Sequence, residues 1–147
     1  NWDAKTGCVY QQRLIMGDLT NFVDRDKEAI MASRPGYLNN FFRDFPLNDA
    51  SALKLKAGSG GSANVRRMID ADGLVVFTDR GVFLHTGSLT PENLGLVKKG
   101  KWKIKEDVPA LAAPGGLFFV DGWCIQYFFC QSSKVFGYSR FSSNHCE

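Results

Sequence analysis

A mainly β fold of antiparallel hairpins is predicted by three observations. First, residues 74–84 (LVVFTDRGVFL) and 117–129 (LFFVDGWCIQYFF) each hold two apolar, β-branched or aromatic segments. A Gly-containing turn joins them, Asp79-Arg80-Gly81 in one and Asp121-Gly122 in the other. Asp-Gly between such segments is a strong hairpin signal, because a type I′ turn needs positive φ at both central residues. Second, the chain carries 15 Gly, 12 Phe, 4 Tyr and 3 Trp, a composition suited to turn-rich sheets. Third, no long amphipathic helix period and no heptads are visible. Hairpins in series make propeller-like blades or sandwich sheets, with at most short helical turns between them. Ribbons this apolar are expected to be covered on at least one face, with cover on both the fuller expectation.

The elements follow in order. Residues 1–7 read as a lead-in loop. Residues 8–16 (CVYQQRLIM) read as one strand, with Val9, Gln11 and Arg13 on one side and Tyr10, Gln12 and Leu14 on the other. The polar run 18–28 reads as an exposed loop, and 29–33 as a short strand broken by Arg34-Pro35-Gly36. Residues 37–42 (YLNNFF) fit a helical turn or an irregular segment burying two or three aromatics. Residues 52–56 alternate, Leu53 and Leu55 against Lys54 and Lys56, as a half-exposed strand does. Residues 58–62 (GSGGS) are a flexible stretch, and 63–70 fit a short helix or a strand. Asp72-Gly73 turns into the first strong hairpin. Thr90-Pro91 is a helix start signal good for one turn at most, since Gly95 follows. Residues 101–105 (KWKIK) alternate strictly, which predicts a strand with Trp102 and Ile104 inward and three lysines outward. Pro109 and Pro114 bracket a small-residue segment, and residues 134–141 read as the final strand before a frayed tail.

A length of 147 residues predicts a single domain, 1–147, and 44% hydrophobic residues supply a core. The first residue is Asn, which fits processing or a fragment of a longer polypeptide. No apolar run nears the ~20 residues of a membrane span. The first fifteen residues, with Asp3, Lys5, Gln11, Gln12 and Arg13, lack a signal-peptide pattern. The four cysteines, Cys8, Cys124, Cys130 and Cys146, form no zinc-type pair. Cys124 and Cys130 are an even number of residues apart in one strand run, so they share a face and cannot bridge each other. They are expected to be free thiols, with a Cys8–Cys146 bridge as the alternative.

Chemistry-bearing patterns are sparse. GSGGS lacks the Lys-Ser/Thr ending and the βα context of a phosphate loop. The two histidines, His85 in an apolar strand and His145 in the tail, have no nucleophile held beside them. Asp70, Asp72, Asp79 and Asp121 all fit turn chemistry. A paired-carboxylate hydrolase is left without a distinguished candidate, so no enzymatic activity, cofactor or metal is expected. The net charge of +3, from 18 basic and 15 acidic residues, does not by itself call for nucleic acid. The best basic patch is Lys98, Lys99, Lys101, Lys103 and Lys105. It reads either as a solvated strand face guarding an edge or as a contact for phosphates or a neighbouring subunit.

The order of motifs resembles a run found in tail nozzle or tail tube B proteins of short-tailed bacteriophages. The matching positions are Gln12-Arg13-Leu14, Ser33-Arg34, Gly36-Tyr37, Asn40-Phe41, Leu74, Phe77-Thr78, Gly81, Leu89-Thr90-Pro91-Glu92-Asn93 and Phe118-Phe119-Val120. They extend over residues 9–138. The resemblance implies part of a larger, propeller-like structural protein that forms a ring around the DNA channel of the virion, is made in the host cytoplasm and acts in assembly and genome ejection. Its implied partners are identical subunits, other tail or portal-adaptor proteins, and passing DNA in non-specific contact. It implies no catalytic residues. The competing expectation is a secreted or surface β-sandwich module binding carbohydrate, with Trp2, Trp102 and Trp123 stacking on sugars.

Overall fold

The computed structural model describes residues 3–20, 25–57, 63–105, 108–114, 116–122, 124–130 and 135–139. Twelve strands and no helix occur among them. β1 (Asp3–Tyr10), β2 (Arg13–Thr20), β3 (Arg25–Ala32) and β4 (Leu53–Lys56) form the first sheet. β5 (Val65–Asp70), β6 (Leu74–Thr78), β7 (Gly81–His85) and β8 (Val97–Gly100) form the second. β9 (Leu111–Ala113), β10 (Gly116–Asp121), β11 (Cys124–Cys130) and β12 (Val135–Ser139) form the third. Each sheet is an antiparallel meander whose strands are ordered as in the chain. The all-β expectation therefore holds, and none of the sheets closes into a barrel.

The sheets stack face to face, in sandwich-like layers. Between the first and second lies a core holding Ile15, Ile30, Leu53, Leu55, Val65, Met68, Val76 and Phe83. Between the second and third lies another, with Val75, Phe77, Val82, Leu84, Ile104, Leu117 and Phe119. Alternation explains the division: successive residues of β6 and β7 point to opposite faces, and every residue of both strands is buried. Phe77 meets Phe119 edge-on with centroids 5.0 Å apart, and Trp102 does the same to Phe119 at 6.0 Å. In the second strong hairpin, β10–β11, one face is covered, which meets the expectation of at least one but not of both. Its Leu117 and Phe119 are buried, whereas Ile125 on its other face is 48% exposed.

Several elements depart from the reading of the sequence. Residues 3–16 form a hairpin, not a lead-in followed by one strand. Tyr10 pairs with Arg13, and Gln11 and Gln12 make the turn at φ 47° and 59°. No Asn or Gly marks that turn. Its strain is offset by Gln11, whose amide donates to the Gly87 carbonyl while its side-chain oxygen accepts from the Leu89 N–H at 2.8 Å. The polar run 18–28 is not a loop throughout: 18–20 end β2, and 25–28 begin β3. Residues 37–42 bury less than expected, with Tyr37 and Phe42 about two-thirds exposed at 66% and 65%. Thr90-Pro91 starts a turn closed by the Asn93 N–H on the Thr90 carbonyl, not a helix. KWKIK is not a strand. Ile104 is inward and buried as expected, but among the described residues the segment's only strand-like pairing is an isolated bridge from Ile104 to Asp121. In the two strong hairpins, Thr78 pairs with Gly81 and Asp121 with Cys124. Asp121 is thus a strand residue, and Gly122 opens the loop at φ 61°. The 58–62 stretch, Trp2, Trp123 and the tail with His145 and Cys146 lie outside the described residues.

Two features fix how the first sheet meets its neighbour and its own loop. Gly17 on β2 lets the first sheet approach β5 closely: a Cβ there would lie 2.9 Å from Val65 Cγ1 and 3.1 Å from Met68 Cε. The long connection 33–52 is organised by Arg13, which is 3% exposed. Its guanidinium donates to the carbonyls of Ser33 and Ser51, both at 2.7 Å, and of Asp49 at 2.6 Å. Arg34 then pairs with Asp44 at 2.9 Å, and the Ser51 hydroxyl donates to the same carboxylate at 2.7 Å.

Candidate functional site: a basic cleft at the first-strand edge

The stacking of three meanders brings their first strands to one side. β5 packs against β1 at this edge. A cleft of about 310 Å³ opens there, lined by Lys5, Thr6 and Gly7 of β1, by Arg66 and Arg67 of β5, and by Ala110 beside β9. Met68 and Ile69 complete its wall among the described residues. The Met68 N–H donates to Thr6 Oγ1 at 3.2 Å, a bond that crosses from one sheet to the next and holds the two strands together.

Consecutive residues of a regular strand point to opposite faces, so adjacent arginines would not ordinarily line one cleft. A β-bulge explains it. Val65 pairs with Thr78 and Arg67 with Phe77, which leaves Arg66 as the extra residue on β5. A bulge bends the strand and re-aims its side chains. The shift also places Val65 and Met68, three residues apart, in the same core.

Near the cleft, Cys8 is a free, half-buried thiol. Burial, and then the negative charge of Asp70, push its pKa up to about 12. The same two causes raise the Tyr10 phenol, against the opposing hydrogen bond from Gln11. These groups are therefore held in their neutral forms at ordinary pH. A thiol so placed is a poor nucleophile, because the thiolate is the reactive form.

The five predicted lysines are divided between β8 and the segment that follows it. Lys98 and Lys99 are exposed on β8, where Lys98 pairs with Phe83. Lys101 and Lys103 are exposed on the crossover to the third sheet, and Lys105 is half-buried there, with its N–H on the Val120 carbonyl at 2.8 Å. β8 is the opposite edge of the second sheet from β5, about 14 Å away at the usual strand spacing. The lysines and the Arg66-Arg67 pair are thus separate patches. Sequence reasoning placed Lys5 in a lead-in loop; the alternating DAKTGC pattern of β1 was its one thin signal.

His85 is 1% exposed. Its Nε2 donates to the Asn93 carbonyl at 3.0 Å, its Nδ1 lies 3.4 Å from the Tyr10 hydroxyl, and the rings meet edge-on at 6.0 Å. It locks the β1–β2 turn onto the loop after β7. Asp79 accepts from the Asn64 N–H and side-chain amide, both at 2.9 Å, in keeping with turn chemistry. Trp102 is committed to packing on Phe119. No protein-family model matches this chain, and no curated protein matches it either.

Proposed function

We propose that the chain is a structural component of a bacteriophage tail, a nozzle or tubular ring subunit around the DNA channel that serves virion assembly and genome ejection. The observation that carries this reading is the stack. Three consecutive meanders lie face to face, and both terminal faces keep apolar residues. Val9, which pairs with Leu14, is 53% exposed on the outer face of the first sheet. On the outer face of the third, Ile125 pairs with Val120 and Leu111 with Phe118, and Leu111 is 64% exposed.

A third-sheet face set on the first-sheet face of another subunit would continue the rule that the chain already follows twice. Such a contact is heterologous, so it closes into a ring when the rotation permits. The first strands would then line the inside, which is the edge that carries Lys5, Arg66 and Arg67. The partners in this reading are identical subunits and other tail or portal-adaptor proteins, with the virion as the final location.

Negative-stain electron microscopy and sedimentation velocity of the purified chain test the reading. Rings, tubes or defined oligomers are expected, and Val9→Asp or Ile125→Asp should dissolve them. A compact monomer at tens of micromolar, unchanged by either substitution, defeats it.

A further inference from the structure

We propose that a second cleft, on the connection 33–52, binds one residue of a neutral glycan, with Tyr37 as the stacking platform and Asn40 and Arg34 as hydrogen-bond donors. The cleft holds about 310 Å³ and is lined by Arg34, Pro35, Tyr37, Asn40 and Ala50. That volume is at the small end of ligand sites, which suits a single sugar ring. The inference does not rest on the assembly reading above.

Three observations carry it. The first is an aromatic ring held outward on firmly tied backbone. Tyr37 is 66% exposed. Arg34-Pro35-Gly36-Tyr37 is a turn closed by the Tyr37 N–H on the Arg34 carbonyl at 3.1 Å, with Gly36 at φ 76°. A second turn is closed by the Asn40 N–H on the Tyr37 carbonyl at 3.0 Å, and the Gly36 N–H donates to the Gln12 carbonyl at 2.8 Å. Arg34 Nε ties the other bank through the Ala50 carbonyl at 2.9 Å. A ligand that stacks on a ring so placed gives up little loop entropy on binding.

The second observation is a set of polar groups beside that ring. Arg34 uses its Nε on Ala50 and its Nη2 on Asp44, and Asn40 uses its Oδ1 to accept from the Phe42 N–H at 3.0 Å. The Asn40 amide NH2, Arg34 Nη1 and the Tyr37 hydroxyl have no hydrogen bond among the described residues. These donors suit hydroxyl and ring oxygens. A sugar offers both halves of the match: an apolar C–H face for the ring and hydroxyls around its rim.

The third is charge. The Arg34 guanidinium is already matched by Asp44 at 2.9 Å, and its Nε and Nη2 are both occupied. An anion would find neither a net positive charge nor a complete fork to grip, so a neutral ligand is favoured over a phosphate or an acidic sugar. Among the described residues Tyr37 is also the one aromatic lining the cleft. A proline-rich peptide asks for a groove lined with aromatics instead.

The test is saturation-transfer NMR of the full chain with millimolar neutral hexasaccharides of glucose (α- and β-linked), mannose, galactose and N-acetylglucosamine. At least one should receive saturation, and titration then gives its Kd. Tyr37→Ala should weaken that binding at least tenfold, whereas Tyr37→Trp, which keeps a flat platform, should stay within threefold of wild type. Asn40→Asp keeps the acceptor for the Phe42 N–H but removes the amide donor, and should weaken binding at least threefold. Phe45→Ala, at a side chain 93% exposed but outside the cleft, should change it less than twofold. Circular dichroism and melting temperature verify that each variant is folded. If Tyr37→Ala is not, Ala50→Met narrows the cleft with the ring in place and should weaken binding at least fivefold.

Four results would overturn the proposal. One is no saturation transfer to any of the neutral hexasaccharides. Another is a loss in Phe45→Ala equal to that in Tyr37→Ala, which would mark a generally adhesive connection. Tighter binding of a heparin-derived hexasaccharide than of every neutral one would show that charge is read. Displacement of the sugar by a decaproline peptide at lower concentration would assign the cleft to a peptide. Sugar binding by a monomer would uphold this inference and sink the assembly reading; rings that bind no sugar would do the reverse.

Discussion

Replacing Arg13 with methionine removes a buried guanidinium while keeping most of its apolar stem. In the native chain that group donates to the carbonyls of Ser33, Ser51 and Asp49 at 2.7, 2.7 and 2.6 Å. Hydrogen bonds to charged groups are worth roughly 1.5–3 kcal/mol each, so the three together set a ceiling of about 4.5–9 kcal/mol. Two effects lower it. Burial opposes the charged form and lowers the arginine's pKa, with the charge of Asp49 pulling the other way. Asp49 is also exposed, so water takes the place of the missing donor there. Ser33 and Ser51 are fully buried, at 0%, and an orphaned buried carbonyl costs about 1–3 kcal/mol. The expected loss is therefore about 3 kcal/mol, a large share of the ~5–15 kcal/mol that holds an ordinary domain together. Equilibrium urea unfolding measures it, with Arg13→Lys restoring less than half because a single ammonium cannot span three carbonyls. A loss under about 1 kcal/mol for the methionine variant, or a lysine variant equal to wild type, would refute the claim that this fork organises the connection 33–52.

Three further outcomes are expected. Phe77→Ala, at the centre of the second core, should cost about 3–5 kcal/mol in the same assay, in line with other buried phenylalanines. Cys8 should resist iodoacetamide at pH 8 in the folded chain and react promptly in urea. Because burial raises both Cys8 and Tyr10, the unfolded chain ionises first; stability should be full below pH 9, fall as pH rises, and be lost through about 12 for the thiol, as followed by thermal melts. Asp26 behaves oppositely: burial raises its pKa, but Lys54 at 3.2 Å and the N–H groups of Ala29 and Glu28 outweigh that and lower it. Its contribution is present above the ordinary carboxylate range and lost as pH falls through the depressed value. Since Lys54 is 40% exposed, Lys54→Met should cost under about 1 kcal/mol while raising the Asp26 pKa by NMR titration.

The sheets were most legible where local chemistry and tertiary burial agree. The β6–β7 hairpin is apolar on both faces because it is the middle layer, and Gly81 takes the φ of 140° its turn requires. The β1–β2 hairpin was hidden because its turn residues are two glutamines, held by contacts to residues 87 and 89 that lie far along the chain. The start of β3 was hidden by its charges: Asp26 and Lys27 look like loop residues, but β3 pairs on both sides. KWKIK shows the converse. Its alternation correctly put Ile104 inward, yet it meets β10 only at that strand's end, through the Asp121 carboxylate and the Val120 carbonyl, and builds no ladder there. The basic cleft was half legible. Arg66 and Arg67 are adjacent in the sequence, but their approach to Lys5 depends on a bulge and on the packing of one sheet against the next, neither of which leaves a local pattern.

Among the described residues every layer takes its strands from one consecutive part of the chain, and no strand is traded between layers. A molecule arranged this way can grow or shrink by whole plies. Duplicating or excising a stretch that begins and ends in the connections between them leaves each surviving ply's ladder intact and asks only that a fresh pair of faces match. Such a design makes the number of plies an easily varied quantity in evolution, as the number of units is in repeat proteins.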